Sequence, residues 1–265
     1  MRLPLYQVDA FADRLFTGNP AAVVPLPEWL PDTVMQAIAA ENNLSETAFF
    51  VPHGDDWSLR WFTPEEEIDL CGHATLAAAH VILEHLHPSL GRVEFETREA
   101  GRLSVTRDGD LLTLDFPSLP PHPCPPPPGL IPALGDIPPR EVLAARYLLI
   151  VYEHPEQILA LRPDMTRLAD LCEGVIVTAP GGSGEWGTAD FVSRFFTPRL
   201  GIPEDPVTGS AHCTLAPYWA ARLGRDRLLA RQLSRRGGTL HCALKGGRVL
   251  IGGRAVLYLR GDIDI

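Results

Sequence analysis

The fold is decided by a motif that the chain carries twice. The first copy is WFTP (Trp61–Pro64) followed by CGHATLAAAH (Cys71–His80), and the second is FFTP (Phe195–Pro198) followed by TGSAHCTLAPYW (Thr208–Trp219). In each copy a strand-like segment ends in Phe-Thr-Pro, a short loop follows, and a glycine opens a helix rich in small and apolar residues. The separation is too long for a solenoid repeat, so the sequence predicts a duplicated domain.

The helix start of each copy is a candidate anion site. Gly72 and Gly209 let a ligand approach the backbone, and the unpaired N–H groups of a first helical turn carry a partial positive charge. For a single occurrence, a turn glycine and a plain N-cap at Ser210 would be the simpler explanation. Because the arrangement occurs twice, we expect two helix ends to face each other across a cleft and to bind one carboxylate through Gly72, Gly209 and Ser210.

Strands dominate the pattern outside the two motif helices. Leu5–Ala12 and Ala21–Pro25 predict a hairpin, and Asp32 is expected to cap a helix that runs to about Glu41. Further strands are expected at ETAFFVP, SLRWFTP, 93–95, 101–107, 111–116, 147–152, 175–178 and 189–196, with a short helix near 165–172. The sequence therefore predicts an α+β fold with a large share of sheet.

Proline dominates the segment from Pro117 to Pro139. Proline cannot donate sheet hydrogen bonds and favours extended backbone, so this segment is the best candidate for a domain boundary. We expect a first domain over residues 1–116, which the C-terminal strand could complete, and a second domain over residues 117–265.

Three ionisable side chains stand at informative places. Glu46 lies where a loop meets an apolar strand, a position suited to an acid or base, although a solvated carboxylate is the commoner case. His73 lies in the first turn of its helix, where the dipole disfavours a cation and a neutral imidazole is expected. A structural histidine is an equally good explanation there. Asp205, in the run EDPVTGS, could hold its loop or face the ligand.

Composition excludes several classes of partner and site. The formal net charge of −10 disfavours nucleic acid, and the apolar runs are too short to span a bilayer. The N-terminus lacks the apolar core of a signal peptide, so a cytoplasmic location is expected. The five cysteines are scattered and never form a CxxC pair, so neither a disulfide framework nor a metal site is expected.

Four segments together resemble the phenazine-biosynthesis (PhzF-like) family of isomerases and epimerases. In chain order they are VDAFADRLFTGNPAAVV (Val8–Val24), NLSETAFF (Asn43–Phe50), FTPEEEIDLCGHATLAAAHVI (Phe62–Ile82) and FFTPRLGIPEDPVTGSAH (Phe195–His212). They are spread over most of the chain, in matching order and spacing, which makes the resemblance specific. It implies the diaminopimelate-epimerase fold, in which two similar β-rich domains each wrap a curved sheet around a central helix, with the active site in the cleft between them.

The resemblance also implies roles for the site residues. Glu46 would move a proton between carbons, His73 and Asp205 would position and polarise the substrate, and Gly72, Gly209 and Ser210 would bind its carboxylate. Proton removal beside a carbonyl or unsaturated carbon needs one tuned base and an anion-stabilising pocket, so no cofactor is expected. The expected partner is a small carboxylate, cyclic or amino-substituted, and a homodimer is a family-level expectation.

The sequence is also compatible with three other hypotheses. A two-cysteine racemase of the same fold would use Cys71, but the matching place before Gly209 holds no thiol. Gly182–Gly187 fits GxGxxG, yet a strand-like segment follows it and Glu185 would oppose a pyrophosphate, which favours a flexible hairpin loop. A catalytically silent small-acid binding protein is the third hypothesis, and the presence of all the site residues weighs against it.

Overall fold

A computed structural model describes residues 1–182 and 186–265 of the chain. Contacts divide it into two units, the first formed by Met1–Asp115 with Gly252–Ile265 and the second by Phe116–Ile251. The C-terminal segment thus completes the first unit. Of the predicted loop at Gly182–Gly187, residues 183–185 lie outside the described residues.

The first unit is a sheet with two principal helices. Its strands are β1 (Arg2–Ala10), β2 (Asn19–Pro25), β3 (Glu46–His53), β4 (Asp56–Phe62), β5 (Glu67–Ile68), β6 (Arg92–Glu96), β7 (Arg102–Asp108), β8 (Leu111–Pro117) and β18 (Ala255–Asp264). Its helices are α1 (Asp32–Asn42) and α2 (Gly72–Val81), and α2 continues as a π-helical turn over Ile82–Leu86.

In its described residues, the second unit is also a sheet of nine strands, and it contains four α-helices. Its strands are β9 (His122–Pro123), β10 (Glu141–Ala144), β11 (Leu148–Val151), β12 (Val175–Pro180), β13 (Phe191–Thr197), β14 (Ile202–Asp205), β15 (Arg227–Gln232), β16 (Gly238–Lys245) and β17 (Arg248–Gly253). Its helices are α3 (Leu130–Leu134), α4 (Pro155–Ala160), α5 (Met165–Leu171) and α6 (Gly209–Leu223).

The two units share one strand topology. In the first, β2 and β3 are parallel, β3 and β4 are antiparallel, and β4 pairs antiparallel with β5 and parallel with β6. In the second, β11 and β12 are parallel, β12 and β13 are antiparallel, and β13 pairs antiparallel with β14 and parallel with β15. The motif helices α2 and α6 therefore occupy corresponding places, each after the short strand and before the parallel crossover strand. This agreement confirms the predicted duplication.

Each motif helix is the buried centre of its unit. Nine of the ten residues of α2 are buried, and the helix packs against β1, β2, β3 and β18. Most of α6 is buried as well, and it packs against β15 and β16. A helix that is apolar on all sides must be covered on all sides, and the sheet of each unit provides that cover. The predicted α+β fold with a central helix in each half is confirmed.

The opening hairpin brings a buried polar residue to the core of the first unit. Asn19, the first residue of β2, pairs with Ala10 and is fully buried. The turn before it depends on Gly18, whose φ of +70° suits glycine and whose Cβ would lie 2.2 Å from the Ala10 carbonyl oxygen. The predicted hairpin is confirmed.

Three details of secondary structure differ from the sequence predictions. Asp32 does not cap α1: the helix begins at Asp32 itself, and its carboxylate instead pairs with the buried Arg60 at 2.8 Å. The proline-rich segment contains a short helix, α3, between two glycines that adopt positive φ. Helix α4 was not predicted, and it begins at Pro155 with a capping box in which the Gln157 side chain accepts from the His154 backbone N–H. None of the helices in the described part of the chain has the length and apolar character needed to cross a lipid bilayer.

Candidate active site

Glu46 and His73 form a buried pair in the first unit. Glu46 is the first residue of β3 and lies beside Ala21 of the parallel strand β2, whereas His73 is the second residue of α2. The helix packs on these strands, and this brings His73 Nε2 within 3.0 Å of Glu46 Oε2. The His73 side chain is 5% exposed and the Glu46 side chain is 9% exposed, so water screens the interaction between the two groups only weakly.

The two atoms are close, but they are not aligned as a hydrogen bond. Neither Glu46 Oε2 nor His73 Nε2 makes a hydrogen bond of acceptable geometry to any described residue, although both are inaccessible to solvent. Buried polar atoms without aligned partners are uncommon in folded proteins and are frequent at functional sites. The pair therefore presents one acceptor and one ring nitrogen that can engage a third group.

The other ring nitrogen of His73 is held by two neighbours. Nδ1 lies 3.2 Å from Asn19 Nδ2 and 3.4 Å from Cys71 Sγ. Both neighbours are buried, Asn19 completely and Cys71 to 6% exposure. The imidazole ring is thus fixed in orientation from the side opposite Glu46.

The surroundings of His73 oppose the effect of the helix dipole. Burial disfavours the imidazolium, but the negative charges that Cys71 and Glu46 can carry outweigh it and raise the pKa of His73 well above its ordinary value. Burial in turn raises the pKa of the Cys71 thiol to about 11. The helix dipole alone predicted the opposite because the contact with Glu46 is not visible in the sequence.

The cluster of Glu46, Cys71 and His73 offers three ligand types that metals use, with the ligand atoms within 4.8 Å of one another. Within this cluster the thiol lies beside Nδ1 of His73 and the carboxylate lies beside Nε2. The raised pKa of Cys71 disfavours the thiolate that a metal would need.

In the second unit, Asp205 is built into a network of buried polar groups. It is the last residue of β14, is 7% exposed, and accepts a hydrogen bond from the Thr208 hydroxyl. Gln232, at the end of β15, donates to the backbone carbonyl of Asp205 at 2.8 Å and accepts from the backbone N–H of Thr208 at 2.9 Å. The Asp205 carboxylate is therefore held in a fixed place directly before α6.

Gly209 and Ser210 begin α6. The residue before them, Thr208, makes no side-chain hydrogen bond to the first turn of the helix. Neither Gly72 nor Gly209 has a positive φ, so a role for glycine at these positions rests on the close approach of a ligand to the backbone. Ser210 is half-buried, and its hydroxyl interacts with the phenol of Tyr147.

Tyr147 is a neighbour of this helix start that sequence reasoning missed. It is 8% exposed, and its ring lies 4.9 Å from that of Phe195, which pairs with Asp205 across β13 and β14. Burial raises the pKa of Tyr147, and the interaction with Ser210 partly opposes that effect.

The structure thus groups the predicted residues by unit. Glu46, Gly72 and His73 come together in the first, and Asp205, Gly209 and Ser210 come together in the second. Sequence reasoning missed a further set that supports them, namely Asn19, Tyr147, Thr208 and Gln232, and treated Cys71 as a small neighbour. Of these, only Asn19, Cys71 and Thr208 stand inside the motifs. Tyr147 and Gln232 lie far from them in the chain, so only the folded structure could identify them.

A sheet-rich α+β chain of two similar units, with a carboxylate–imidazole pair at one central helix and a fixed carboxylate at the other, has the features of the epimerase-like folds. Residues 8–119 and 137–261 match the model of the phenazine biosynthesis-like protein family. The chain belongs to this family. An uncharacterized isomerase of Pseudomonas aeruginosa is 53% identical over 266 residues, with 100% of each chain covered.

Solved structures show the same relationship. The crystal structure of a phenazine biosynthesis protein of the PhzF family from Enterococcus faecalis matches with a TM-score of 0.95 and 48% identity, covering 100% of each chain. A hydroxyproline epimerase from Agrobacterium vitis, solved with trans-4-hydroxy-L-proline bound, matches with a TM-score of 0.59 at 14% identity, covering 99% of this chain and 92% of the epimerase. That second likeness concerns the fold alone.

Proposed function

We propose that the protein is a cofactor-independent isomerase or epimerase that moves a proton between carbons of a small carboxylic acid, with Glu46 as the acid and base. One observation carries the proposal. Glu46 Oε2 and His73 Nε2 are buried, lie 3.0 Å apart, and have no aligned partner among the described residues. The isomerase names of close relatives support the same class of reaction.

The proposed chemistry uses only groups of this chain. The Glu46 carboxylate takes a proton from a carbon next to a carbonyl or double bond, so that the C–H bond breaks, an O–H bond forms, and the electron pair enters the conjugated system of the substrate. For an isomerisation, the protonated Glu46 returns its proton to a second carbon. For an epimerisation, the first carbon takes a proton from solvent on its opposite face, and Glu46 releases its own proton to solvent. His73, with its raised pKa, donates from Nε2 and stabilises the negative charge that develops on the substrate.

The second unit is proposed to bind the substrate carboxylate. The first turn of α6 offers backbone N–H groups that the Thr208 side chain does not cap, together with the Ser210 hydroxyl. These donors and the helix dipole favour an anion. The proposal assigns these donors to the carboxylate of the substrate, and it assigns Asp205 to positioning the substrate at the start of α6.

The alternative two-thiol mechanism has less support. Cys71 has a pKa raised to about 11, which suits neither a base nor a nucleophile at neutral pH. The corresponding residue of the second unit, before Gly209, is Thr208, which donates to Asp205. A small-acid binding protein without catalysis is the second candidate, since an uncapped helix start by itself supports binding as much as turnover.

The deciding experiment is a screen of small carboxylic acids in D₂O, including cyclic and amino-substituted ones, with product formation and deuterium incorporation followed by NMR and mass spectrometry. Wild type is compared with Glu46→Gln and with the control Glu41→Gln, which alters an exposed carboxylate on α1. We expect Glu46→Gln to fold and bind but to lose turnover, and the control to remain active. Turnover by Glu46→Gln within a few-fold of wild type would remove Glu46 as the base, and saturable binding without turnover by wild type would favour the binding protein.

A further inference from the structure

Gln232 lies in the core of the second unit and is 1% exposed. Among the described residues, all the hydrogen bonds of its side-chain amide go to the segment that contains Asp205 and Thr208. Oε1 accepts from the backbone N–H of Thr208 at 2.9 Å, and Nε2 donates to the backbone carbonyl of Asp205 at 2.8 Å and to Thr208 Oγ1 at 3.2 Å. A buried amide is costly unless it is hydrogen-bonded, and all of these bonds join the end of β15 to the segment between β14 and α6.

These contacts have a direction. Because Gln232 Nε2 can only donate, Thr208 Oγ1 accepts from it and keeps its own hydrogen for another partner. That partner is Asp205, whose Oδ2 accepts a hydrogen bond from Thr208 Oγ1. The order is therefore amide to hydroxyl to carboxylate, and it directs the hydroxyl hydrogen of Thr208 to Oδ2 of Asp205.

The same contacts change what Thr208 does for its helix. Threonine before a first helical turn normally accepts a hydrogen bond from the N–H groups of that turn. Here its hydroxyl points back to Asp205, and α6 has no side-chain cap among the described residues. Cys71 holds the corresponding position before α2, also does not cap its helix, and contacts His73. In each unit, the residue that precedes the helix contacts a candidate catalytic side chain.

We propose that Thr208 and Gln232 are positioning residues that act through Asp205: Gln232 fixes the hydroxyl of Thr208, and Thr208 fixes the carboxylate of Asp205 while leaving the first turn of α6 open to the substrate. This inference rests on the proposed function, because it assumes that Asp205 acts on a substrate. It adds two residues that neither contact the substrate nor take part in proton transfer.

The test uses Thr208→Val, which keeps the shape and removes the hydroxyl, with Thr208→Ser as the conservative control and Gln232→Met as the second disruption. Thermal unfolding and circular dichroism identify variants that still fold. With the acid found in the D₂O screen, we expect Thr208→Ser to stay within a few-fold of wild type. We expect Thr208→Val to lose about 10- to 100-fold in kcat/KM, the effect of one hydrogen bond to a charged group.

Double mutants that include Asp205→Asn distinguish a positioning role of Thr208 and Gln232 from a purely structural one. In an Asp205→Asn background, Thr208→Val and Gln232→Met should cause little additional loss, because all three changes remove one interaction. Full activity of a folded Thr208→Val, or a loss that multiplies with that of Asp205→Asn, would overturn the proposal.

A second measurement needs no substrate. Protection of the Gln232 side-chain amide protons from exchange, followed by NMR, should persist in Thr208→Ser and fall in Thr208→Val. Unchanged protection in Thr208→Val would contradict the proposed contacts even if no acid were turned over. If no acid is turned over in the D₂O screen but Thr208→Val still loses protection of the Gln232 amide protons, the proposed function is overturned. The hydrogen bonds between Gln232, Thr208 and Asp205 are then retained.

Discussion

Thr75 and His212 make the same hydrogen bond in the two units. The Thr75 hydroxyl donates to the backbone carbonyl of Cys71, and His212 Nδ1 donates to the backbone carbonyl of Thr208 at 2.8 Å. Both side chains are buried, and both reach back four residues to the position just before their helix. The two helix starts are therefore stabilised alike although the side chains differ.

His212 should make the stability of the protein depend on pH. Burial lowers the pKa of His212 to about 4, so between about pH 6.5 and pH 4 the unfolded chain binds a proton that the folded chain does not. Stability is therefore present above pH 6.5 and is lost as the pH falls, by about 3 kcal/mol for a shift of this size. We expect urea unfolding of His212→Gln to show a smaller decrease between pH 7 and pH 4.5 than wild type. The control His53→Gln, at an exposed position, should match wild type; an unchanged decrease in His212→Gln would contradict this account.

Cys71 should react slowly with alkylating reagents although it lies beside His73. It is 6% exposed and its pKa is raised to about 11 by burial, so iodoacetamide at neutral pH should label the half-buried Cys124 well before Cys71. Cys71→Ser should keep activity within about tenfold of wild type, since the serine hydroxyl can still meet the ring nitrogen of His73. Loss of all turnover in folded Cys71→Ser would instead support the two-thiol mechanism.

The start of α6 should recognise negative charge. We expect wild type to bind a substrate-like carboxylate more tightly than its neutral amide, and Ser210→Ala to lose roughly 1.5–3 kcal/mol of that binding. Gly209→Val should weaken binding further, because its side chain obstructs the approach of the carboxylate to the backbone. Calorimetric titration of each variant, with Ser89→Ala at an exposed site as the control, measures these effects. Equal affinity of wild type for the acid and the amide would exclude an anion site here.

The central helix of the first unit should tolerate little loss of volume. Leu76 is fully buried in α2, so Leu76→Ala should reduce the free energy of unfolding by about 2–5 kcal/mol. Leu86, in the last turn of the same helical segment, is 37% exposed, and Leu86→Ala should cost less than about 1 kcal/mol. Urea unfolding of both variants makes the comparison, and similar losses would show that α2 is not the buried centre of its unit.

Much of the secondary structure could be predicted because it depends on local pattern. The apolar and aromatic residues of β3 and β4 favour strands, and the apolar composition of α2 favours a helix, without reference to distant residues. Asp32 is a case in which the local sequence pattern gave the wrong prediction. It stands where a capping residue is expected, but the buried guanidinium of Arg60, 28 positions away, needs a charge partner and pairs with it.

The sequence by itself determined the duplicated α+β fold, the two helix starts and the candidate residues Glu46, His73 and Asp205, since all of these lie in repeated or contiguous motifs. Only the tertiary structure decided how those groups behave. The contact between His73 and Glu46 joins β3 to α2, and together Cys71 and Glu46 raise the pKa of His73, which the helix dipole alone would lower. Gln232 reaches Asp205 from β15, 27 residues along the chain. Hydrogen bonds and charge interactions depend on distance in space and on burial, and neither quantity can be read from separation along the sequence.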